Sequence, residues 1–448
     1  MIDINSKEFL DKLVATVPSK KQLAWHDIEY YNFIHFGMNT MVGVEWGDGK
    51  ADPAKFNPKQ VDTDQWVRTC KASGAKGVIL TAKHHDGFCL FPSDYTDYTV
   101  ASSPYKQDIV AQFVESCKKY DMKAGLYLSP WDRNNPLYGT PEYNDFFINQ
   151  LTEICTRYGE LFALWFDGAC GEGSNGKKQV YDFPRYLAKC EELQPNAVTC
   201  ILGKDVRWIG NEAGKSRKSE WSVVPRRLLV ETELSLEHSG SASHAGLDKE
   251  MNTELPDIGS REFMAKNNVD EFCWFPAEAD TSITHGWFYA KWREIFMLKS
   301  LRKLSKIYYD TVGKNSALLL NIPPNKEGVI APKTARRLID FGNKIKSDLK
   351  NVVPAEISQD GETYTAKLEH SAKVKRIVLQ EDVEKSQRVE GFELYAVTGG
   401  EEKLIYTGTV IGWKRICTLP RTVQVEQIKL KITACRHESY VRTLDVVE

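Results

Sequence analysis

Short, nearly continuous apolar runs alternate with longer amphipathic stretches over the first three quarters of the chain. Such runs predict strands that are buried on both faces, and the amphipathic stretches predict helices. About seven strands are predicted, at residues 31–37, 76–81, 124–129, 161–166, 197–202, 271–275 and 317–322. Helices are predicted at 62–70, 106–120, 141–158, 181–193, 287–308 and 332–349. This repeated strand–helix order is typical of a parallel sheet, and the number of units favours an irregular (β/α) TIM-like barrel over a doubly wound sheet.

The pattern changes after about residue 352. Short runs with alternating apolar and polar residues are separated there by turns such as Thr398-Gly399-Gly400, which predicts an antiparallel β-sandwich. We therefore divide the chain into a catalytic barrel at 1–345 and a β-sandwich at 346–448. Residues 203–270 are polar and have no clear element, and loops of this length inside a compact domain are usually functional or mobile.

Composition and charge exclude several classes of protein. The 59 Lys and Arg residues nearly balance the 61 Asp and Glu residues, so the net charge of −2 excludes a globally basic nucleic-acid binder. No run of about 18 apolar residues predicts a membrane-spanning helix. The 11 Trp residues are many for 448 residues, and their flat faces suit sugar rings as well as cores.

Several common functional motifs are absent from the sequence. The ten cysteines include no C-x-x-C pair, which argues against a thiolate zinc site or a redox dithiol. Neither a G-x-G-x-x-G nor a G-x-x-x-x-G-K-[ST] loop occurs, which argues against a nucleotide site. The G-x-S-x-G elbow of serine hydrolases is also missing. Candidate chemistry must therefore come from residues brought together by the fold.

Polar residues follow one predicted barrel strand after another. Barrel enzymes place their catalytic groups at the carboxyl ends of the strands, so these residues are expected at one rim. They are His35, the run 83–87, the run 129–132, Asp167, the pair 204–205 and the run 276–280. Asp167 is the strongest single candidate, because it emerges directly from an apolar strand.

A second acid is expected to work with Asp167, and two residues compete for this place. Glu212 lies in the loop after the fifth strand, and Glu278 follows the predicted sixth strand. Spacing alone does not choose between them. His84 and His85 could bind a metal ion together with Asp86, but hydrogen bonding to a polyhydroxy ligand suits neutral imidazoles better. Glu45 and Trp46 pair an acceptor with a flat apolar face, which also suits a sugar.

Five sequence runs together resemble glycoside hydrolase family 29, the α-L-fucosidases. They are FIHFGMNT at 33–40, EWG at 45–47, TAKHHDGF at 81–88, LWFDGA at 164–169 and VRWIGNEAG at 206–214. The resemblance extends from about residue 25 to the C-terminus. The runs VRWIGNEAG and WFPAEAD, at 274–280, are similar to the subgroup that acts on α1,3 and α1,4 fucosyl linkages.

The resemblance implies an exo-acting, retaining α-L-fucosidase with an irregular barrel and a carbohydrate-binding-like β-sandwich. It implies that Asp167 is the nucleophile and Glu212 the acid/base. The residues that it places around the fucose are His35, Glu45, Trp46, His84, His85, Tyr127, Trp165 and Trp287. It implies a fucosylated oligosaccharide or glycan as substrate. Neither a cofactor, a metal ion, a nucleic acid nor insertion into a membrane is expected, and the sequence indicates no oligomeric state.

One departure from the family pattern concerns specificity. Thr284-His285 stands where an Arg-Pro pair is expected before the run GWFY. Two alternatives therefore accompany the fucosidase hypothesis: a glycan-binding protein with little hydrolysis, and a glycosidase for a related sugar such as galactose. The family favours a periplasmic or secreted enzyme, whereas the first twenty residues show no signal peptide, which leaves the cytoplasm as the alternative.

Overall fold

The computed structural model describes residues 3–229 and 257–448. Eight parallel strands form the barrel sheet, in the order β5-β4-β3-β2-β1-β10-β9-β6. One parallel bridge between Cys200 and Val206 joins the two ends of this order, so the barrel is nearly closed. Its strands are β1 (Tyr30–Ile34), β2 (Gly77–Lys83), β3 (Lys123–Leu128), β4 (Ala163–Phe166), β5 (Val198–Ile201), β6 (Arg207–Trp208), β9 (Ala277–Ser282) and β10 (Ala317–Asn321). The predicted TIM-like barrel is confirmed.

Helices surround the barrel, and several of them begin at side-chain caps. Asp62, Asp108 and Asp182 each accept a hydrogen bond from the backbone N–H three residues later, which satisfies the open end of the helix. The helices are α1 (Lys7–Ala15), α2 (Lys20–His26), α3 (Met38–Val42), α4 (Thr63–Ala72), α5 (Ile109–Lys119), α6 (Glu142–Arg157), α7 (Phe183–Leu193), α8 (Arg261–Lys266), α9 (Lys291–Phe296), α10 (Leu301–Thr311) and α11 (Pro332–Leu349). None of those in the described residues combines the length and the apolar character that crossing a bilayer requires.

The predicted sixth barrel strand at 271–275 is wrong. The strand β8 (Phe272–Trp274) pairs instead with β7 (Val223–Pro225) in a separate two-stranded antiparallel sheet. The barrel strand is β9, whose sequence AEADTS contains no apolar run. Its polar side chains are buried, and those of Glu278, Asp280 and Ser282 have side-chain hydrogen-bond partners, so the usual signal of a parallel strand is missing. Glu278, which was predicted to follow a strand at the rim, therefore lies within a strand.

The single helix predicted at 287–308 is also wrong. Two helices, α9 and α10, occupy this stretch, and Trp287 precedes both of them. Ser300 starts the second helix by accepting a hydrogen bond from the backbone N–H of Lys303. No glycine or proline separates the two segments, and this is why the sequence predicts one helix.

The C-terminal part is an antiparallel β-structure with its own core, and the predicted β-sandwich is confirmed. Its sheet has the order β11-β17-β13-β16-β14-β15, and β12 pairs with β13. The bounds are β11 (Val352–Val353), β12 (Ala355–Asp360), β13 (Thr363–Glu381), β14 (Val389–Thr398), β15 (Glu401–Gly408), β16 (Arg415–Cys435) and β17 (Val441–Val447). Helix α11 leads into it from the barrel. The domain boundary at 345/346 stays a prediction.

Candidate active site

A cavity of about 260 Å³ opens at the carboxyl ends of the barrel strands. Acids, histidines and indole rings share its wall, which is the combination that a sugar with hydroxyl groups and apolar faces requires. The lining residues are Phe33, His35, Trp46, His84, His85, Trp165, Asp167, Gly168, Ala169, Ile201, Trp208, Glu212, Asp280 and Trp287. Eight of the ten residues that the sequence places at the site line this cavity. Tyr127 and Glu45 do not line the cavity, but each is hydrogen-bonded to a residue that does.

Asp167 directly follows β4, and its carboxylate is held by two hydrogen bonds. The Tyr127 hydroxyl donates to Oδ2 at 3.1 Å, and the backbone N–H of Ala169 donates to Oδ1 at 2.7 Å. The Nε2 atom of His85 lies 3.7 Å from Oδ2. Burial raises the pKa of Asp167 to about 6, while both hydrogen bonds oppose this rise. The carboxylate is therefore mostly ionised at neutral pH.

Glu212 reaches the same cavity from the loop that follows β6. Its side chain is exposed to solvent at the mouth, whereas that of Asp167 is only 22% exposed. Desolvation on the cavity side, followed by the negative charge of Asp167, raises its pKa, and a hydrogen bond from the Trp287 side chain opposes the rise. The two acids thus face one space in different surroundings. This is the arrangement that separates an ionised group from a protonated one.

Glu278 lies inside the barrel, on β9, and it does not share this position. Its carboxylate accepts a hydrogen bond from Trp165 Nε1 at 2.8 Å and a short one from the Tyr31 hydroxyl. Burial raises its pKa to about 7, against the effect of both bonds. Glu278 therefore supports the ring of Trp165, which forms part of the cavity wall.

The three histidines at the site are neutral. Burial lowers the pKa of His35 and of His85 to about 3, and it lowers the pKa of His84 as well. His35 Nδ1 lies 2.9 Å from the Asn321 amide oxygen, and His85 Nδ1 lies 2.7 Å from the Ser129 hydroxyl. These contacts fix the rings. Each neutral ring can then offer its second nitrogen to a ligand hydroxyl.

Aromatic rings form the apolar part of the wall. Trp165 stacks on Tyr127 with ring centroids 5.3 Å apart, and Trp287 lies 5.1 Å from the ring of His35. Trp46 meets His85 edge-on at 5.7 Å and is 55% exposed, so it stands at the mouth. A bound sugar would therefore contact the packed rings of Trp165 and Trp287 inside the cavity and the exposed ring of Trp46 at its mouth.

Glu45 acts on the cavity through a neighbouring segment. Its Oε2 atom accepts the backbone N–H groups of Trp287 at 2.7 Å and Phe288 at 3.4 Å. Its Oε1 atom forms an ion pair with Arg293. Both carboxylate oxygens are thus used to hold the segment that carries Trp287.

The comparisons with known proteins agree with this geometry. The family model described as alpha-L-fucosidase matches residues 11–348. The chain belongs to the alpha-L-fucosidase family. It is accordingly a glycoside hydrolase of the alpha-L-fucosidase class.

Relatives from plants and bacteria show the same likeness over almost the whole chain. Alpha-L-fucosidase 1 of Arabidopsis thaliana is 35% identical over 96% of this chain and 87% of its own. A Bacteroides ovatus protein, provisionally named an alpha-L-fucosidase, is 42% identical with a TM-score of 0.89, over 99% of this chain and 76% of its own. A Ruminococcus gnavus GH29 fucosidase, solved in complex with fucose, is 28% identical with a TM-score of 0.80, over 97% and 95%.

Six lining residues were not predicted individually as site residues from the sequence: Phe33, Gly168, Ala169, Ile201, Trp208 and Asp280. Asp280 is buried on β9 and accepts a hydrogen bond from Trp208 Nε1 at 2.9 Å. Burial and the nearby charge of Glu212 raise the pKa of Asp280 well above its usual range. The sequence feature that could have indicated Asp280 is its distance of two residues from Glu278, because alternate residues of a strand share one face.

Three groups at the site could also hold a metal ion. One ligand atom from each of His84, His85 and Asp167 lies within 4.8 Å of the others. The partner of the histidine pair is thus Asp167, and not Asp86 as considered from the sequence. The same donors suit the hydroxyl groups of a sugar.

Replacing Glu45 by alanine should loosen the segment that carries Trp287. The substitution removes the acceptor of two backbone N–H groups and the partner of Arg293, so these amides should exchange hydrogen faster. Hydrogen–deuterium exchange with mass spectrometry of peptides covering 286–294 measures this change. Val44→Ala, at the adjacent half-exposed position, is the control. Equal protection of this segment in Glu45→Ala and in the wild type would contradict the role given to Glu45.

Proposed function

We propose that this fucosidase is exo-acting and retaining, with Asp167 as nucleophile and Glu212 as acid/base. The observation that supports this assignment is the position of both acids on one cavity, with Asp167 only partly exposed and hydrogen-bonded and Glu212 exposed at the mouth. Retaining glycosidases place their two carboxyl groups about 5 Å apart across the scissile bond. Among the described residues that line the cavity, Glu212 is the only glutamate.

The first half-reaction transfers the fucosyl group to the enzyme. Asp167 attacks the anomeric carbon, the bond to the leaving oxygen breaks, and the Glu212 proton moves to that oxygen. Positive charge develops on the sugar ring in the transition state, and the buried Asp167 carboxylate stabilises it. In the second half-reaction Glu212 removes a proton from water, the water oxygen bonds to the anomeric carbon, and Asp167 is released.

The remaining wall groups orient the fucose. His35, His84 and His85 offer neutral ring nitrogens to the hydroxyl groups, and because they carry no charge they do not repel the positive transition state. Trp165 and Trp287 contact the apolar side of the ring. Their positions depend on Glu278 and Glu45, respectively.

We further propose that the substrate carries terminal α1,3- or α1,4-linked L-fucose. The runs VRWIGNEAG and WFPAEAD support this linkage. Thr284 is buried and His285 is exposed, beside the segment that carries Trp287. This segment is where the chain departs from the expected Arg-Pro pair, and the departure bears on the linkage that the enzyme prefers. Faster turnover of Lewis-type oligosaccharides than of α1,2-linked fucosides is the result that the proposed linkage predicts.

Asp167→Ala and Glu212→Ala test the two roles separately. Asp167→Ala should lower kcat by at least about a thousandfold on every α-L-fucoside, because no covalent intermediate can form. Glu212→Ala should lose activity most on substrates with poor leaving groups, and azide should restore turnover on an activated aryl fucoside. Glu271→Ala, at an exposed position, is the control. Azide rescue of Glu278→Ala but not of Glu212→Ala would assign the acid/base to Glu278 instead.

Tyr127→Phe should shift the acid side of the pH profile. The hydroxyl of Tyr127 stabilises the ionised form of Asp167, whose pKa is about 6, so its loss should raise that pKa. Activity needs ionised Asp167 and is lost as the pH falls through this value. The acid limb of kcat/KM should therefore move to higher pH, by about half to one unit for one hydrogen bond.

Tyr143→Phe is a matched control for this pH measurement. Its hydroxyl is buried too, but it donates to the backbone oxygen of Pro130 at 2.8 Å. The acid limb of this variant should coincide with that of the wild type. An acid limb that Tyr127→Phe leaves in place, or moves to lower pH, would contradict the assignment of Asp167.

A further inference from the structure

Helix α9 has its apolar side chains on the outside. Four large apolar residues, three in the helix and one directly after it, are exposed: Trp292 at 51%, Ile295 at 48%, Phe296 at 80% and Met297 at 44%. The helix contains no buried residue. Soluble proteins rarely leave large apolar side chains clustered in water unless the cluster contacts something.

Two polar residues of the same helix, Arg293 and Glu294, contact neighbouring segments and help to fix its orientation. Arg293 forms the ion pair with Glu45, and Glu294 accepts a hydrogen bond from the Tyr289 hydroxyl at 3.0 Å. Lys333 of α11 donates to the backbone oxygen of Ile295 at 3.2 Å. The exposure of the apolar residues is thus the result of specific polar contacts on the opposite side.

These contacts connect the helix to the mouth of the cavity. Glu45, which binds Arg293, is adjacent in sequence to Trp46, the exposed ring at the cavity mouth. The Arg293 guanidinium lies 5.2 Å from the centre of the Trp292 ring. The ion pair thus links the Trp292 ring, beside which Arg293 lies, to the residue that precedes Trp46, and both indole rings are about half exposed.

We propose that Trp46 and Trp292 form an aromatic platform for the sugar residues that follow fucose in the substrate. This proposal rests on the proposed function, because an exo-acting enzyme holds fucose in the cavity and leaves the rest of the glycan outside the mouth. The flat faces of tryptophan suit the apolar faces of pyranose rings. The Arg293 guanidinium, beside the Trp292 ring, offers N–H groups to the hydroxyl edges.

A second copy of the chain is the other candidate occupant of this surface. Stable protein–protein interfaces bury about 1,200–2,000 Å² in total, and the side chains of one six-residue helix provide only a small part of such an area. The ion pair that links Trp292 to the residue before Trp46, at the cavity mouth, favours the glycan as the occupant. The choice between them can be tested with one set of variants.

Trp292→Ala should weaken action on glycans more than action on a substrate without a sugar aglycone. The two substrates are a Lewis-type fucosylated trisaccharide and α-L-fucosyl fluoride, which occupies the cavity alone. The ratio of their kcat/KM values should fall by roughly three- to tenfold, the size expected for one aromatic contact. Trp292→Phe should restore part of the ratio. Leu404→Ala, at a 47% exposed position in the β-sandwich, should leave both values unchanged.

An unchanged ratio in Trp292→Ala would overturn the platform while leaving the fucosidase assignment intact. A dimer of the wild type that Trp292→Ala dissociates in sedimentation velocity, with an unchanged ratio, would overturn it in favour of a second copy. If the wild type released fucose from neither substrate, the proposed function would fail, and the platform with it. The exposed position of Trp292 predicts an unchanged Tm for the variant, which a thermal melt checks.

Discussion

The charge on Asp167 depends on two hydrogen bonds made in a place where water is largely excluded. Burial alone favours the protonated carboxyl group, and the Tyr127 hydroxyl and the Ala169 N–H oppose it. Because β3 and β4 are adjacent parallel strands, Tyr127 and Trp165 are paired directly beside the end that carries Asp167. The barrel register therefore sets the ionisation of the nucleophile that we propose.

The other acids of the barrel differ from Asp167 in their degree of solvation. Glu212 is accessible at the mouth, and Glu278 and Asp280 are buried with indole N–H groups as partners. Close carboxylates in one site repel each other, so their pKa values separate and they hold different numbers of protons. In the mechanism that we propose, this separation allows one acid to attack while another donates a proton. It also explains why polar residues occupy a barrel strand that would ordinarily be apolar.

The sequence predicts the parts of this site that local pattern determines. Asp167 follows an apolar run, and the KHHDGF run follows another, so the barrel rule places both at the rim. The strand at 277–282 was missed because its inward side chains are polar and find partners far away in sequence. Helices α9 and α10 were predicted as one helix because no glycine or proline separates them. Glu45 could not be connected with Arg293 from the sequence, since 248 residues separate them.

The assignment of Asp167 as nucleophile is the central claim, and trapping the covalent intermediate tests it most directly. A 2-deoxy-2-fluoro-L-fucosyl donor with an activated leaving group should form the intermediate and hydrolyse slowly. After proteolysis, mass spectrometry should find the fluorofucosyl mass on the peptide that contains Asp167, at that residue. A label on another carboxylate, or turnover without a label and with inversion at the anomeric carbon, would contradict the account.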